Sequence, residues 1–170
     1  MDALGILFDI IPAFQPSDMQ TARTGDYVSL KYWGRCTVVL YKGAGTAGDD
    51  PVLTFEQAQS VSGTGVKNLA NITYRFQKQA ATDLSGTGTW TKVTQLASQT
   101  VTLNATSAEE AGMYVCEIGT EELDLANGFD CLRVSVADVG NNAQLGCAFY
   151  ILSGPRFPGA PANLLSSIID

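Results

Sequence analysis

The chain has 170 residues, of which 45% are hydrophobic and only 16% are charged, a composition that suits one domain with a substantial core. The 10 basic and 17 acidic residues give a net charge of −7 without a Lys/Arg cluster, which argues against a nucleic-acid or anionic-membrane partner. The absence of histidine excludes Ser-His-Asp and Cys-His catalytic sites, so we expect no enzymatic activity.

Residues 1–26 are predicted to form an extended N-terminal arm. Pro12 and Pro16 prevent a continuous helix, and Asp2 and Asp9 interrupt the pattern of a secretory signal. The apolar side chains of this segment need a surface to cover them, either on another subunit or, as a short helix or strand, on the core of the chain itself. These side chains are Leu4, Ile6, Leu7, Phe8, Ile10, Ile11 and Phe14.

Residues 27–153 are predicted to form a β-rich core domain. Apolar and polar residues alternate with period two in residues 72–78 and 90–95, and residues 37–41 are a β-branched run typical of a buried strand. The fold class is therefore mainly β, an antiparallel β-sandwich or barrel of the jelly-roll kind. Further strands are predicted at residues 27–32, 100–103, 113–118, 131–136 and 146–152, and short helices at residues 54–60 and 106–110.

Residues 154–170 are predicted to form a C-terminal tail. Its three prolines favour an extended conformation and exclude a central strand. Four large aliphatic residues follow, and they either dock on the same chain or contact a neighbour. They are Leu164, Leu165, Ile168 and Ile169.

The four cysteines are Cys36, Cys116, Cys131 and Cys147, and none of them forms a C-x-x-C pair. Buried, reduced thiols are therefore expected. Residues 110–116 read Glu-Ala-Gly-Met-Tyr-Val-Cys and resemble the strand-F pattern of immunoglobulin domains. That resemblance would imply a Cys36–Cys116 disulfide and a Trp soon after the first cysteine, but Trp33 precedes Cys36.

Residues 43–48 match the dinucleotide-binding pattern G-x-G-x-x-G, yet Asp49 and Asp50 follow where a helix should begin and would repel a pyrophosphate. An exposed hairpin loop is the favoured interpretation. A group of acidic residues resembles a Ca²⁺ site only in composition, because the EF-hand spacing is absent. The group is Glu117, Glu121, Glu122, Asp124 and Asp130. We expect neither a cofactor nor a metal.

Residues 89–95, 122–131 and 142–156 resemble the capsid cement, or head-decoration, proteins of tailed bacteriophages. The resemblance implies a non-enzymatic virion protein, often trimeric, that is made in the host cytoplasm and sits on the outer capsid surface. There it would bridge neighbouring subunits of the major capsid protein.

The predicted partner-binding residues lie in the arm and the tail. They are Phe8, Ile10, Ile11 and Phe14 in the arm, and Arg156 and Phe157 in the tail. The expected partners are the major capsid protein and two further copies of the chain in a homotrimer, with no nucleic acid and no membrane. The alternatives are another phage structural component, in the tail or the head–tail connector, or an immunoglobulin-like adhesion module.

Overall fold

The computed structural model describes residues 3–103 and 110–168. In this part of the chain, strands form two six-stranded antiparallel sheets that pack face to face as an open sandwich, which confirms the predicted fold class and selects the sandwich over the barrel. Three single turns of 3₁₀-helix occur at Thr120–Glu122, Leu125–Asn127 and Pro161–Asn163.

The strands are numbered in chain order. The first sheet contains β1 (Phe8–Asp18), β4 (Arg35–Lys42), β7 (Ile72–Ala80), β8 (Thr91–Ser98), β10 (Ala111–Gly119) and β12 (Leu145–Ser153). Their spatial order is β1-β12-β4-β10-β7-β8, so β1 and β8 are the two edges. The second sheet contains β2 (Arg23–Thr24), β3 (Val28–Ser29), β5 (Val52–Ala58), β6 (Lys67–Asn68), β9 (Thr100–Thr102) and β11 (Cys131–Val136).

The core lies between the two sheets and follows from period-two alternation. In β12, Ala148, Tyr150 and Leu152 point inward and are buried, whereas the residues between them are half-exposed on the outer face. In the second sheet, Phe55 of β5 lies opposite Val134 of β11, and both are fully buried.

The predicted helix at residues 54–60 is wrong, because residues 54–58 belong to strand β5 and residues 59–60 form the bend that follows it. Glu56, Gln57 and Ala58 are ordinary helix formers, but β5 pairs with β11 on one side and with β6 and β9 on the other. Pairing and burial of Leu53 and Phe55 outweigh the weak local preference. The other predicted helix, at residues 106–110, lies outside the described residues except for its last position.

Residues 8–18 form an edge strand of the first sheet instead of a free arm. Strand β1 pairs with β12 from Phe8 opposite Ser153 to Asp18 opposite Leu145. Pro12 and Pro16, which lack an N–H, are tolerated because an edge strand has one unpaired side. Of the two interpretations left open by the sequence, the structure contains a strand packed on its own chain.

The immunoglobulin-like pattern does not correspond to an immunoglobulin arrangement. Cys36 and Cys116 lie on neighbouring strands of the same sheet, with Cys36 opposite Ile118 and Cys116 opposite Val38. Both thiols are free and buried, and burial raises the pKa of the Cys116 thiol to about 12. A disulfide joining the two sheets of the sandwich cannot form from this pair.

The glycine-rich segment at residues 43–48 is an exposed loop that joins β4 of the first sheet to β5 of the second, so it is a crossover and not a hairpin. No helix follows it. The Asp49 carboxylate instead accepts hydrogen bonds from the backbone N–H of Asn142 (3.2 Å) and from its side-chain amide (2.9 Å). The Asp49 carboxylate therefore links the end of the glycine-rich loop to the loop that contains Asn142.

Tyr150 connects the two sheets through its hydroxyl. The oxygen accepts a hydrogen bond from the backbone N–H of Val134 at 3.0 Å and donates one to the carbonyl of Asp26 at 3.0 Å. A Cβ added to Gly25 would lie 2.8 Å from this hydroxyl and 2.8 Å from the carbonyl oxygen of Val134. Only glycine fits beside the tyrosine without displacing backbone.

We expect Tyr150→Phe to lower the free energy of unfolding by about 1–3 kcal/mol, because it leaves the buried N–H of Val134 and the partly buried carbonyl of Asp26 without their partner. Urea denaturation measures this change. Tyr41→Phe is the matched control, since Tyr41 is exposed on the outer face of β4 and its change should stay below about 0.5 kcal/mol. Equal effects of the two substitutions would contradict the role given to Tyr150.

Thiol reactivity distinguishes this arrangement from a disulfide-linked domain. Cys147 is half-buried and the other three cysteines are buried, so Cys147 should react first with an aromatic disulfide reagent in the native protein. In denaturant, all four thiols should react without prior reduction. Titration of only two thiols would indicate a disulfide and favour an immunoglobulin-like module.

Candidate interaction surface

The two ends of the chain meet at one corner of the first sheet. Because Phe8 begins β1 opposite Ser153 at the end of β12, the segments beyond these residues leave the sheet side by side. The backbone N–H of Gly159 donates to the carbonyl of Gly5 at 3.0 Å. Gly5 has a φ of +80°, and a Cβ added there would lie 2.4 Å from the Gly159 oxygen, so only glycine allows this approach.

The tail is held on the body of the domain by a few specific hydrogen bonds. The backbone N–H of Arg156 donates to the carbonyl of Tyr32 at 2.8 Å. Further along, Ser167 is buried; its carbonyl accepts from the N–H of Ser29 at 2.7 Å, and its hydroxyl accepts from the indole N–H of Trp33 at 3.0 Å. The tail therefore follows the segment between β3 and β4.

Although the backbone of both ends is anchored, large apolar side chains remain in water. Of the twelve large apolar side chains that are exposed in the described part of the chain, six lie in residues 3–10 and 154–168. Leu7 is 61% exposed and Phe157 is 70% exposed. We call this set the terminal surface, and it consists of Leu4, Leu7, Ile10, Phe157, Leu165 and Ile168. A concentration of apolar side chains of this kind is typical of an interaction site.

The terminal surface contains two hollows beside Tyr32 in addition to its exposed apolar side chains. The Phe157 ring packs edge-on against Tyr32 with 6.0 Å between ring centroids, and the Nζ of Lys31 lies 5.6 Å from the centre of the Tyr32 ring. A hollow of about 430 Å³ on one side of Tyr32 is lined in part by Lys31, Asp130 and Leu165, and a smaller one of about 150 Å³ lies towards Phe157. These hollows offer apolar contact and hydrogen bonds to a partner.

The structure separates the predicted partner-binding residues into two groups. Ile10, Arg156 and Phe157 are exposed at this corner, and Phe8 is half-buried on the same outer face. Ile11 is 9% exposed and lies in the core, and Phe14 packs against that core. Alternation along β1 turns Ile11 inward, and the register shift before Phe14 places its half-buried side chain against the core, so that Ile10, Arg156 and Phe157 are the more accessible members of the predicted set, whose binding role stays a prediction.

Sequence reasoning noted Leu4, Leu7, Leu165 and Ile168 as apolar but did not select them as contacts. The place of Leu4 and Leu7 depends on the pairing of Phe8 with Ser153, and that of Leu165 and Ile168 depends on the binding of Ser167 to Ser29 and Trp33, all of which are contacts between residues far apart in the chain. No local pattern reports such a contact. The sequence shows only that large aliphatic residues lie near both ends of the chain.

Three of the acidic residues considered for Ca²⁺, Glu117, Glu122 and Asp124, have separate partners. Glu117 lies 3.8 Å from Arg35, whereas Asp124 is bound by Lys67, whose hydrogen bond lowers the pKa of that carboxyl. The carboxyl of Glu122 accepts from the N–H of Gly119, and burial raises its pKa. Within residues 3–103 and 110–168, no group of three or more His, Cys, Asp or Glu is arranged to hold a metal ion.

Comparison with known proteins finds a likeness to solved structures, among them a prophage-derived protein. No protein-family model and no curated protein matches the chain. The crystal structure of the SPBc2 prophage-derived protein YomS is similar over 86% of this chain and 93% of that chain, with a TM-score of 0.46 and 9% sequence identity. A likeness of this degree carries no conclusion about function.

In the described part of the chain, no helix has the length and apolar character needed to cross a membrane.

We expect Ser167→Ala to loosen the tail, because it removes the acceptor of the buried Trp33 indole N–H and costs about 1–3 kcal/mol. Limited proteolysis followed by mass spectrometry should show faster cleavage within residues 154–168. Ser166→Ala is the control, since Ser166 is the exposed neighbour of Ser167. Equal cleavage rates in the two variants would show that Ser167 does not anchor the tail.

Proposed function

We propose that the chain is a structural protein of a tailed bacteriophage, a capsid cement protein that bridges neighbouring major capsid protein subunits on the outer shell. The observation that supports this most strongly is the terminal surface. Its backbone is fixed by hydrogen bonds to the same chain, while its apolar side chains point into solvent. A preformed apolar surface lowers the entropic cost of binding relative to free arms.

Burial of these large apolar side chains against a partner contributes substantially to the free energy of binding. Complete burial of one Leu, Ile or Phe side chain stabilises a complex by about 1.5–3 kcal/mol. Leu7, Ile10 and Phe157 are each at least half exposed, so each can contribute a large part of that amount. A shell repeats one contact many times, so a modest gain per copy becomes a large gain per particle.

The charge of the chain supports the outer face of the shell over the inner one. With a net charge of −7, the protein is repelled by the phosphates of packaged DNA. A homotrimer is part of the proposal. It is supported by the low charged fraction of 16% and by Tyr41 and Leu145, which are exposed on the first sheet away from the terminal surface.

Point substitutions test the proposal better than removal of residues 1–16, because that deletion would take away most of β1 together with Ile11 and Ala13 of the core. The test variant carries Leu7→Ser, Ile10→Ser and Phe157→Ser. The matched control carries Val66→Ser, Leu96→Ser and Leu125→Ser, three exposed apolar residues outside the terminal surface. Both variants should keep the urea midpoint of the unmodified chain.

Binding is measured by co-sedimentation with shells assembled from the major capsid protein of the same phage. We expect the terminal-surface variant to bind about tenfold or more weakly, since truncating a buried anchor costs about 1 kcal/mol or more. The control should bind normally. Undiminished binding of the test variant would remove the terminal surface from the proposal, and binding only to tails or connectors would replace the cement role by another structural role.

A further inference from the structure

A second surface, far from the terminal surface, combines aromatic rings with lysines. Side chains of β7 alternate, so Tyr74, Phe76 and Lys78 share its outer face, and the pairing with β8 places Lys92 opposite Phe76. We call this set the aromatic–lysine surface, and it consists of Tyr74, Phe76, Lys78, Trp90, Lys92 and Val115. It lies towards the β8 edge of the first sheet, whereas the terminal surface lies at the β1 edge.

The floor of the aromatic–lysine surface is a shallow apolar hollow. Phe76, Trp90 and Val115 line a volume of about 270 Å³. Val115 of β10 lies directly opposite Phe76 in the sheet, and Trp90 is 42% exposed beside them. The hollow has room for one large aliphatic or aromatic side chain, and it presents almost no hydrogen-bonding group of its own.

Two lysines stand over the rings that surround the hollow. The Nζ of Lys78 lies 4.7 Å from the centre of the Trp90 ring, and that of Lys92 lies 4.1 Å from the centre of the Tyr74 ring. Among the described residues, neither ammonium forms an ion pair with a carboxylate. Cation–π contact holds each ammonium in place without neutralising its charge, so both can still donate to an anion.

Charge is distributed unevenly between this hairpin and the rest of the chain. Residues 72–98 contain three basic residues and one acidic residue, whereas the remaining residues contain seven basic and sixteen acidic ones. A positive hairpin on an acidic protein attracts an acidic partner to this surface, while the rest of the chain repels it. The partner is thereby guided to one orientation.

We propose that the aromatic–lysine surface binds an acidic segment of another polypeptide. A large apolar side chain of that segment enters the hollow, and carboxylates on either side of it pair with Lys78 and Lys92. A nucleic acid fits less well, because two lysines neutralise few phosphates and the net charge of −7 opposes a polyanion. The inference is independent of the capsid role, because it rests on different residues at a different edge.

The probe is a capped peptide of sequence Glu-Asp-Leu-Glu-Asp, and its amide counterpart Gln-Asn-Leu-Gln-Asn is the peptide control. Trp90 is the exposed tryptophan and Trp33 is buried, so a change in tryptophan fluorescence reports on this surface. We expect saturable binding of the acidic peptide that weakens as salt is added, and weaker binding of the amide peptide.

Substitution of the lysines tests the charge contribution. Lys78→Gln and Lys92→Gln should each weaken binding about threefold, and the double variant should weaken it about tenfold. Lys31→Gln is the matched control, because Lys31 also lies over a ring, that of Tyr32, but at the terminal surface. It should leave peptide binding unchanged.

Four results would overturn the inference. They are the absence of saturable binding up to millimolar peptide, equal binding of the amide peptide, unchanged binding by the double variant, and tighter binding of a thymidine oligonucleotide than of the acidic peptide. Sedimentation analysis of the protein alone measures whether the chain associates with itself. Self-association that the double variant abolishes, without peptide binding, would assign the surface to a second copy of the chain instead.

Discussion

Antiparallel pairing of β1 with β12 is the contact on which the terminal surface depends. It places Phe8 opposite Ser153 and thereby brings the two ends of the chain to one corner of the sandwich. It also fixes which side of β1 faces outward, so that Ile10 is exposed while its neighbour Ile11 is buried. A shift of one residue in this register would exchange the two and remove an apolar contact from the surface.

The pairing is supported by the rest of the sandwich. Strand β12 lies between β1 and β4, and the hydroxyl of its Tyr150 forms 3.0 Å hydrogen bonds to Val134 of the second sheet and to Asp26 in the segment between β2 and β3. Strand β12, with which β1 is paired, is therefore connected to both sheets. A surface built on such a scaffold keeps its shape when it is free, which favours binding without a large ordering cost.

The tail shows how an end of the chain can be both anchored and available. Ser167 is buried and bound to Ser29 and Trp33, yet Leu165 and Ile168 on either side of it remain about half exposed. Anchoring through the backbone and one small hydroxyl leaves the large side chains free for another molecule. The tail therefore docks on its own chain without using up its apolar residues.

The β-rich class and several strands could be predicted because their signals are local. Alternation in residues 72–78 marks β7, and the β-branched run at residues 37–41 marks β4. Local signals failed where distant pairing decides the outcome. Residues 54–58 contain helix formers but pair with β11, and the pairing of β1 with β12 leaves Ile11 in the core and Phe14 against it.

The same limit applies to the candidate sites. The apolar residues of the two ends are visible in the sequence, but their meeting at one corner is not. The strand-F pattern at residues 110–116 would imply a Cys36–Cys116 disulfide between two sheets, yet the fold places both cysteines on neighbouring strands of one sheet. The aromatic–lysine surface was missed because Trp90 and Lys78 come together only through the register of β7 and β8.

Hydrogen exchange of the free and shell-bound protein tests the central claim most directly, namely that the terminal surface contacts neighbouring subunits. If it does, backbone amides in residues 3–10 and 154–168 will exchange more slowly on the shell than in solution, whereas those of the glycine-rich loop at residues 43–48 will not change. Unchanged exchange in both terminal segments, on shells that carry the bound protein, would contradict the claim.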